Sequence, residues 1–161
     1  MGAARGHIAS VLHTAASDIV FTSGGTEANN WIIKDAVTRW QRLHPEEVAH
    51  VVTSNIEHDS VEHVLRLLEQ QGQATVTRLA AQSNGAVSVQ DLVASLKPAT
   101  CLVTVMLANN ETGVLQPVAQ LMAAVAEHEA RTDTTVVKHT DAAQVQEWQQ
   151  HLFLTALPAV G

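Results

Sequence analysis

Ser23-Gly24-Gly25-Thr26-Glu27 stands between an apolar run, Ile19-Val20-Phe21, and a helix-like run. Glycines let the backbone approach an anion closely. The N–H groups that open a helix and the Thr26 hydroxyl can donate to it, and the helix dipole favours negative charge. The chemistry on offer is phosphate holding, with a tight strand-to-helix turn capped by Thr26 as the plain reading. In Asn55-Ile56-Glu57-His58-Asp59-Ser60, His58 can lie flat on an aromatic ring or carry a proton near neutral pH. The plain reading there is a polar junction in which Asp59 or Ser60 caps a helix.

Leu107-Ala108-Asn109-Asn110-Glu111-Thr112-Gly113 follows the most apolar run of the chain. Two amides, an acid and a hydroxyl at a strand end suit a binding loop, although Asn and Gly also make ordinary turns. His139-Thr140-Asp141-Ala142-Ala143-Gln144 follows another apolar run. Asp141 offers a carboxylate for a protonated pyridine nitrogen, and Gln144 an amide donor for a ring oxygen; helix capping by Asp141 is the alternative. Phosphate donors, a stacking ring, an amide and a pyridine acid are what one cofactor needs. Together they outline a pocket for pyridoxal 5'-phosphate (PLP), whose ring acts as an electron sink.

Such groups must be brought to one edge by the elements between them. Strand-like and helix-like runs alternate. Helices are expected over Ala3–Thr14, Glu27–Leu43, Asp59–Gln71, Val89–Leu96 and Pro117–Arg131, the last with Pro at its first position. Strands are expected near 18–22, 50–54, 75–79, 102–107 and 136–140, with a turn at Asn84-Gly85. This rhythm predicts a three-layer α/β fold with a mostly parallel sheet. Gly24, His58, Asn110 and Asp141 then share the edge where such sheets bind ligands.

Composition narrows the classes. The 161 residues allow one domain, and 46% are apolar. Nine basic against 16 acidic residues give a formal charge of −7, which argues against nucleic-acid binding. No run approaches the roughly 20 apolar residues of a membrane span, so no membrane role is expected. The N-terminus lacks the apolar core of a secretory signal. The single cysteine, Cys101, fits a reducing compartment, here expected to be the cytoplasm. Nine histidines come without Cys pairs or a His-Glu-x-x-His helix, so no metal site is expected.

Thr22-Ser23-Gly24-Gly25-Thr26-Glu27, Glu57-His58-Asp59-Ser60, Met106 to Gly113 and His139 to Gln144 resemble the cysteine desulfurases and selenocysteine lyases, with wording closer to the lyases. These are PLP enzymes of the class V aminotransferase group. The resemblance implies part of the large domain of fold type I, over residues 1–144, followed by a divergent tail over 145–161. It implies Gly25 and Thr26 at the cofactor phosphate and His58 stacked on the ring as the catalytic proton carrier. It places Asn110 beside ring and substrate, Asp141 at the pyridine nitrogen and Gln144 at the ring hydroxyl.

It further implies an amino-acid substrate, selenocysteine or cysteine, and a homodimer. The family's Schiff-base lysine lies beyond its pyridine acid, whereas Lys34, Lys97 and Lys138 all precede Asp141. Cys101, in a predicted buried strand, does not match the family's nucleophilic cysteine. The expectation is therefore a truncated selenocysteine lyase, inactive alone. The alternatives are a cysteine desulfurase fragment and a non-catalytic interaction remnant. An unrelated domain holding a nucleotide phosphate at Gly24-Gly25-Thr26 is disfavoured by the lack of a following Gly-Lys-Ser/Thr.

Overall fold

The structure, a computed structural model, describes residues 2–143. Its frame is set by two strands that water does not reach. β1 (Ala49–Ser54) and β3 (Thr100–Thr104) are buried at every position. Strands covered on both faces need no polar alternation, which suits the Val-rich sequences found there. β1 pairs in parallel with β2 (Ala74–Leu79) on one side and with β3 on the other. β3 pairs in parallel with β4 (Val137–His139), giving the order β2-β1-β3-β4.

Helices cover both faces. Successive side chains of a strand point to opposite sides, and the core divides accordingly. Val51 and Leu102 pack with Ile33 and Val37 of α2 (Gly25–Leu43) and with Val61 and Leu65 of α3 (Asp59–Gln70). Their neighbours Val52 and Val103 pack on the other face, in a cluster with Leu121 and Val125 of α5 (Val118–Thr132) and Leu92 of α4 (Val89–Ser95). α1 (Gly2–Val11) precedes these layers. The three-layer, mostly parallel α/β expectation therefore holds.

The chain leaves β1 for a neighbour on one side and comes back for β3 on the other. At such a reversal the connections diverge, and a crevice opens beyond the strand ends. The loops after β1, β3 and β4 all border it.

Two expectations are corrected. Residues 18–22 form no strand: a 3-10 turn spans Ala16–Asp18 and irregular chain follows. The Asp18 carboxylate accepts from Thr14 Oγ1 at 2.5 Å and from the Ala15 N–H at 3.1 Å, which closes the turn. Val20 and Phe21 are exposed, with no sheet neighbour among the described residues. Pro117 caps α5 from outside, with ψ of 54°, rather than serving as its first residue. The Asn84-Gly85 turn is present. Gly85 has φ of +80°, a conformation glycine adopts freely, and a Cβ there would crowd Val114 Cγ2 at 3.0 Å.

Candidate cofactor site

Gly25, Thr26, His58, Asn110 and Asp141 line one cavity of about 190 Å³. The four loops read from the sequence thus meet at one edge. Gln144 lies outside the described residues. A larger cleft of about 550 Å³ adjoins, sharing His58 and Asn110 and adding Glu57, Asp59 and Glu111.

One end of the cavity is the start of α2. Gly24 is the N-cap, so Thr26 stands inside the first turn and does not cap it. The first closing bond runs from the Ala28 N–H to the Gly24 carbonyl at 3.2 Å. The N–H groups before it have no carbonyl within the helix to meet. Glu27 turns back, its carboxylate accepting from the Ser23 N–H at 2.6 Å. That bond holds the Glu27 carboxyl below its usual range. A Cβ on Gly25 would touch only Ala143 Cβ, at 3.8 Å. The missing side chain relieves no clash; it leaves room in the cavity.

The other end is built from the start of α3 and the chain just after β4. His58 is itself the N-cap of α3, in place of Asp59 or Ser60: its Nδ1 accepts from the Ser60 N–H at 3.1 Å. Ser60 Oγ lies 2.9 Å from the same nitrogen. Asp141 is fixed by its backbone, whose carbonyl accepts from the Leu107 N–H at 2.9 Å. Its side-chain oxygens accept from the Ala143 N–H at 3.0 Å and from Asn29 Nδ2 at 2.8 Å. A carboxylate has about four acceptor sites, so capacity remains for a pyridinium N–H. The donor set at one end and the acceptor at the other fit PLP.

Sequence reasoning passed over Asn29 and gave Ser60 only a capping role; both are buried. The signal was present in the helix period. Asn29 shares the buried stripe of α2 with Ile33, Ala36, Val37 and Trp40. A polar residue on an apolar stripe needs a buried partner.

Two more side chains shape the pocket from behind. Asn109, not Asn110, organises the loop after β3. Its Oδ1 accepts from the N–H groups of Glu111 and Thr112, and its Nδ2 donates to the Ile56 carbonyl at 3.0 Å. Asn110 is left exposed at the cavity. Glu57 joins the ends of β1 and β3: its Oε1 accepts from Ser54 Oγ at 2.5 Å and from the Met106 N–H at 3.0 Å. Its Oε2 is buried with no hydrogen-bond partner among the described residues. Burial pushes its carboxyl up to about 7, against those two hydrogen bonds, with Asp141 and Glu62 adding to the rise.

Cys101 is buried within β3, and that burial pushes its thiol up to about 12. A thiol so placed is a poor nucleophile. Lys138 pairs with Glu129 of α5 at 2.5 Å, and neither it nor Lys34 nor Lys97 lines the cavity.

Residues 1–150 match the aminotransferase class-V family, and the chain belongs to that family. The family includes the PLP-dependent cysteine desulfurases, and the α/β fold is that of their fold type I large domain. Among individual relatives, the chain is 40% identical over 154 residues to selenocysteine lyase of Xenopus laevis, covering 88% of this chain and 36% of that protein. It is 37% identical over 157 residues to a mitochondrial cysteine desulfurase of Arthroderma benhamiae, covering 92% of this chain and 29% of that protein. A solved structure of SspA in complex with cysteine matches with a TM-score of 0.77 at 37% identity, covering 89% of this chain and 38% of that one. The chain thus spans about a third of the length of such relatives.

Proposed function

We propose that this chain is the PLP-docking core of a selenocysteine lyase, whose whole-protein reaction converts L-selenocysteine to L-alanine and releases selenium. The observation that carries the reading is the meeting of Thr26, His58, Asn110 and Asp141 around one cavity, with Asp141 held in place at 2.8 Å by a buried amide. PLP, when bound, supplies a ring that takes up electron density from the substrate. The residues of this chain bind and orient it. The start of α2 and the Thr26 hydroxyl hold the phosphate. His58 covers one face of the ring. Asp141 accepts the pyridine N–H and favours its charged form. Gln144 is assigned to the ring hydroxyl, and Asn110 to the side where ring and substrate meet.

The choice of selenium over sulfur rests on the similarity to selenocysteine lyase. Cysteine desulfurase is the alternative, differing in the chalcogen removed, and it is supported by the fungal relative and by the cysteine named with SspA. A cytoplasmic location and a homodimer complete the proposal.

The test is a spectroscopic titration of the chain with PLP. Saturable binding is expected. Asp141→Ala removes a charge-assisted hydrogen bond, worth about 1.5–3 kcal/mol, so affinity should fall roughly tenfold or more. Thr26→Val should weaken PLP while leaving pyridoxal, which has no phosphate, unaffected. PLP affinity indifferent to both substitutions would sink the reading.

A further inference from the structure

Asp141 and His58 serve opposite ends of the proposed ring contact, yet one buried amide ties them together. Asn29 Nδ2 donates to Asp141 Oδ2 at 2.8 Å and to Ser60 Oγ at 2.9 Å. Ser60 Oγ lies 2.9 Å from His58 Nδ1. The path crosses three elements: Asn29 on α2, Ser60 on α3 and Asp141 after β4. Asn29 is 3% exposed and Ser60 7%, so the bond between them is shielded from water, while its two ends open toward the cavity at Asp141 and His58.

Each step has a fixed direction. A carboxylate only accepts, so the amide must turn its nitrogen, not its oxygen, toward Asp141. The second N–H of that nitrogen then goes to Ser60 Oγ. The hydroxyl keeps its own hydrogen, and it goes to His58 Nδ1 because the Ser60 N–H already addresses that nitrogen as an acceptor. The Ser60 N–H points at the same ring nitrogen from 3.1 Å. Nδ1 therefore receives two donors and carries no proton, which leaves the proton of the neutral ring on Nε2.

We propose that Asn29 is a positioning residue that couples the Asp141 carboxylate to the His58 ring through Ser60, holding His58 as its Nε2–H tautomer. The carboxylate that faces the pyridine nitrogen thereby also sets which atom of the covering histidine donates. His58 meets cofactor and substrate as a hydrogen-bond donor at Nε2, and Nδ1 is withheld from proton exchange. The inference takes only the identity of the ring from the proposed function; the coupling itself resides in the chain.

Nitrogen-detected NMR of the labelled imidazoles in the 161-residue chain, without cofactor, reads the tautomer. The wild type should show the Nε2–H pattern for His58. Asp141→Asn turns the far end of the path from an acceptor into a donor-acceptor, and the His58 Nδ1 resonance should shift. The same substitution made on top of Asn29→Ala, or of Ser60→Ala, should leave that resonance in place. If Asn29→Ala does not fold, the Ser60→Ala background, which removes one hydroxyl, decides the case alone.

An Nδ1–H tautomer in the wild type overturns the proposal. So does an equal Nδ1 shift with and without the intervening links, because a through-space field needs neither. A parallel PLP titration keeps the two readings apart. A chain with the coupled Nε2–H histidine and no PLP binding retains the coupling and loses the cofactor reading. A chain that binds PLP with an Nδ1–H histidine does the reverse.

Discussion

Glu57 is a carboxyl whose chemistry its surroundings alter strongly. It stands beside His58, but its carboxyl is turned inward to Ser54 and the Met106 N–H, joining the ends of β1 and β3 behind the cavity. Burial holds the folded value near 7, above the ordinary 4.5. Between those values the folded chain keeps a proton that the unfolded chain has lost. Stability from this group is thus full below about 4.5 and is lost as pH rises through about 7. Glu57→Gln keeps the Oε1 acceptor and cannot ionise. Denaturant midpoints should show the wild type losing ground to the variant between pH 5 and pH 8, while at pH 5 the wild type is at least as stable. Parallel curves for the two proteins would mean that Glu57 titrates normally. In the sequence Glu57 was legible only as a neighbour of His58. Its role depends on which strand end lies opposite, and that is a property of the sheet order.

The elements are tied at each strand pair by a buried polar side chain. His50 of β1 bonds Thr77 of β2 through Nε2 and Thr100 of β3 through Nδ1, both at 2.8 Å. Thr104 of β3 meets His139 Nδ1 of β4, also at 2.8 Å. Burial pushes both histidines down to about 4, with Lys97 adding to the fall at His50 and Asp141 opposing it at His139. In the unfolded chain they titrate near 6.5. Their folded-state contribution is present above 6.5 and is lost as pH drops toward 4. From about 4.5 to 6.5 two histidines act against the one opposing carboxyl of Glu57. Net stability should therefore rise with pH in that window, measured by urea unfolding, and His50→Asn should reduce the slope. A flat profile in the wild type would refute protonation of these ties as an acid-unfolding step. A second element-scale expectation concerns α5, which ends on Asp133 in the left-handed region at φ of 52°. Asp133→Gly should stabilise the chain by about 0.5 kcal/mol, seen as a raised thermal midpoint, because glycine adopts that conformation freely. The helices and the parallel strands were legible because their periods and their Gly and Pro punctuation are local. Residues 18–22 were not. Ile19-Val20-Phe21 has strand composition, but a strand needs a neighbour, and composition cannot show whether one is adjacent.

At the scale of the molecule, the start of α2 and the loops after β1, β3 and β4 line one cavity, and none of the chain's three lysines lines it. Lys138 is the nearest to Asp141 in sequence. Its odd offset along the strand direction sends the side chain to the other face, where it pairs with Glu129 of α5 at 2.5 Å. The chain of 161 residues should therefore hold PLP through phosphate donors, ring contact and Asp141, and not through a covalent bond. The binding should be weak and reversible, since a covalent link adds to these contacts in a way that no single hydrogen bond replaces. Borohydride reduction of the PLP-saturated chain, followed by peptide mass spectrometry, tests this. No stoichiometric pyridoxyl adduct is expected on Lys34, Lys97 or Lys138, and no alanine should form from selenocysteine. Trp31 and Phe21 are exposed on the same chain, so the measurement should be made on protein shown to be free of aggregates. One fully modified lysine together with alanine release would overturn the account. It would mean that a lysine reaches the ring by a path the folded arrangement of β4 and α5 does not offer.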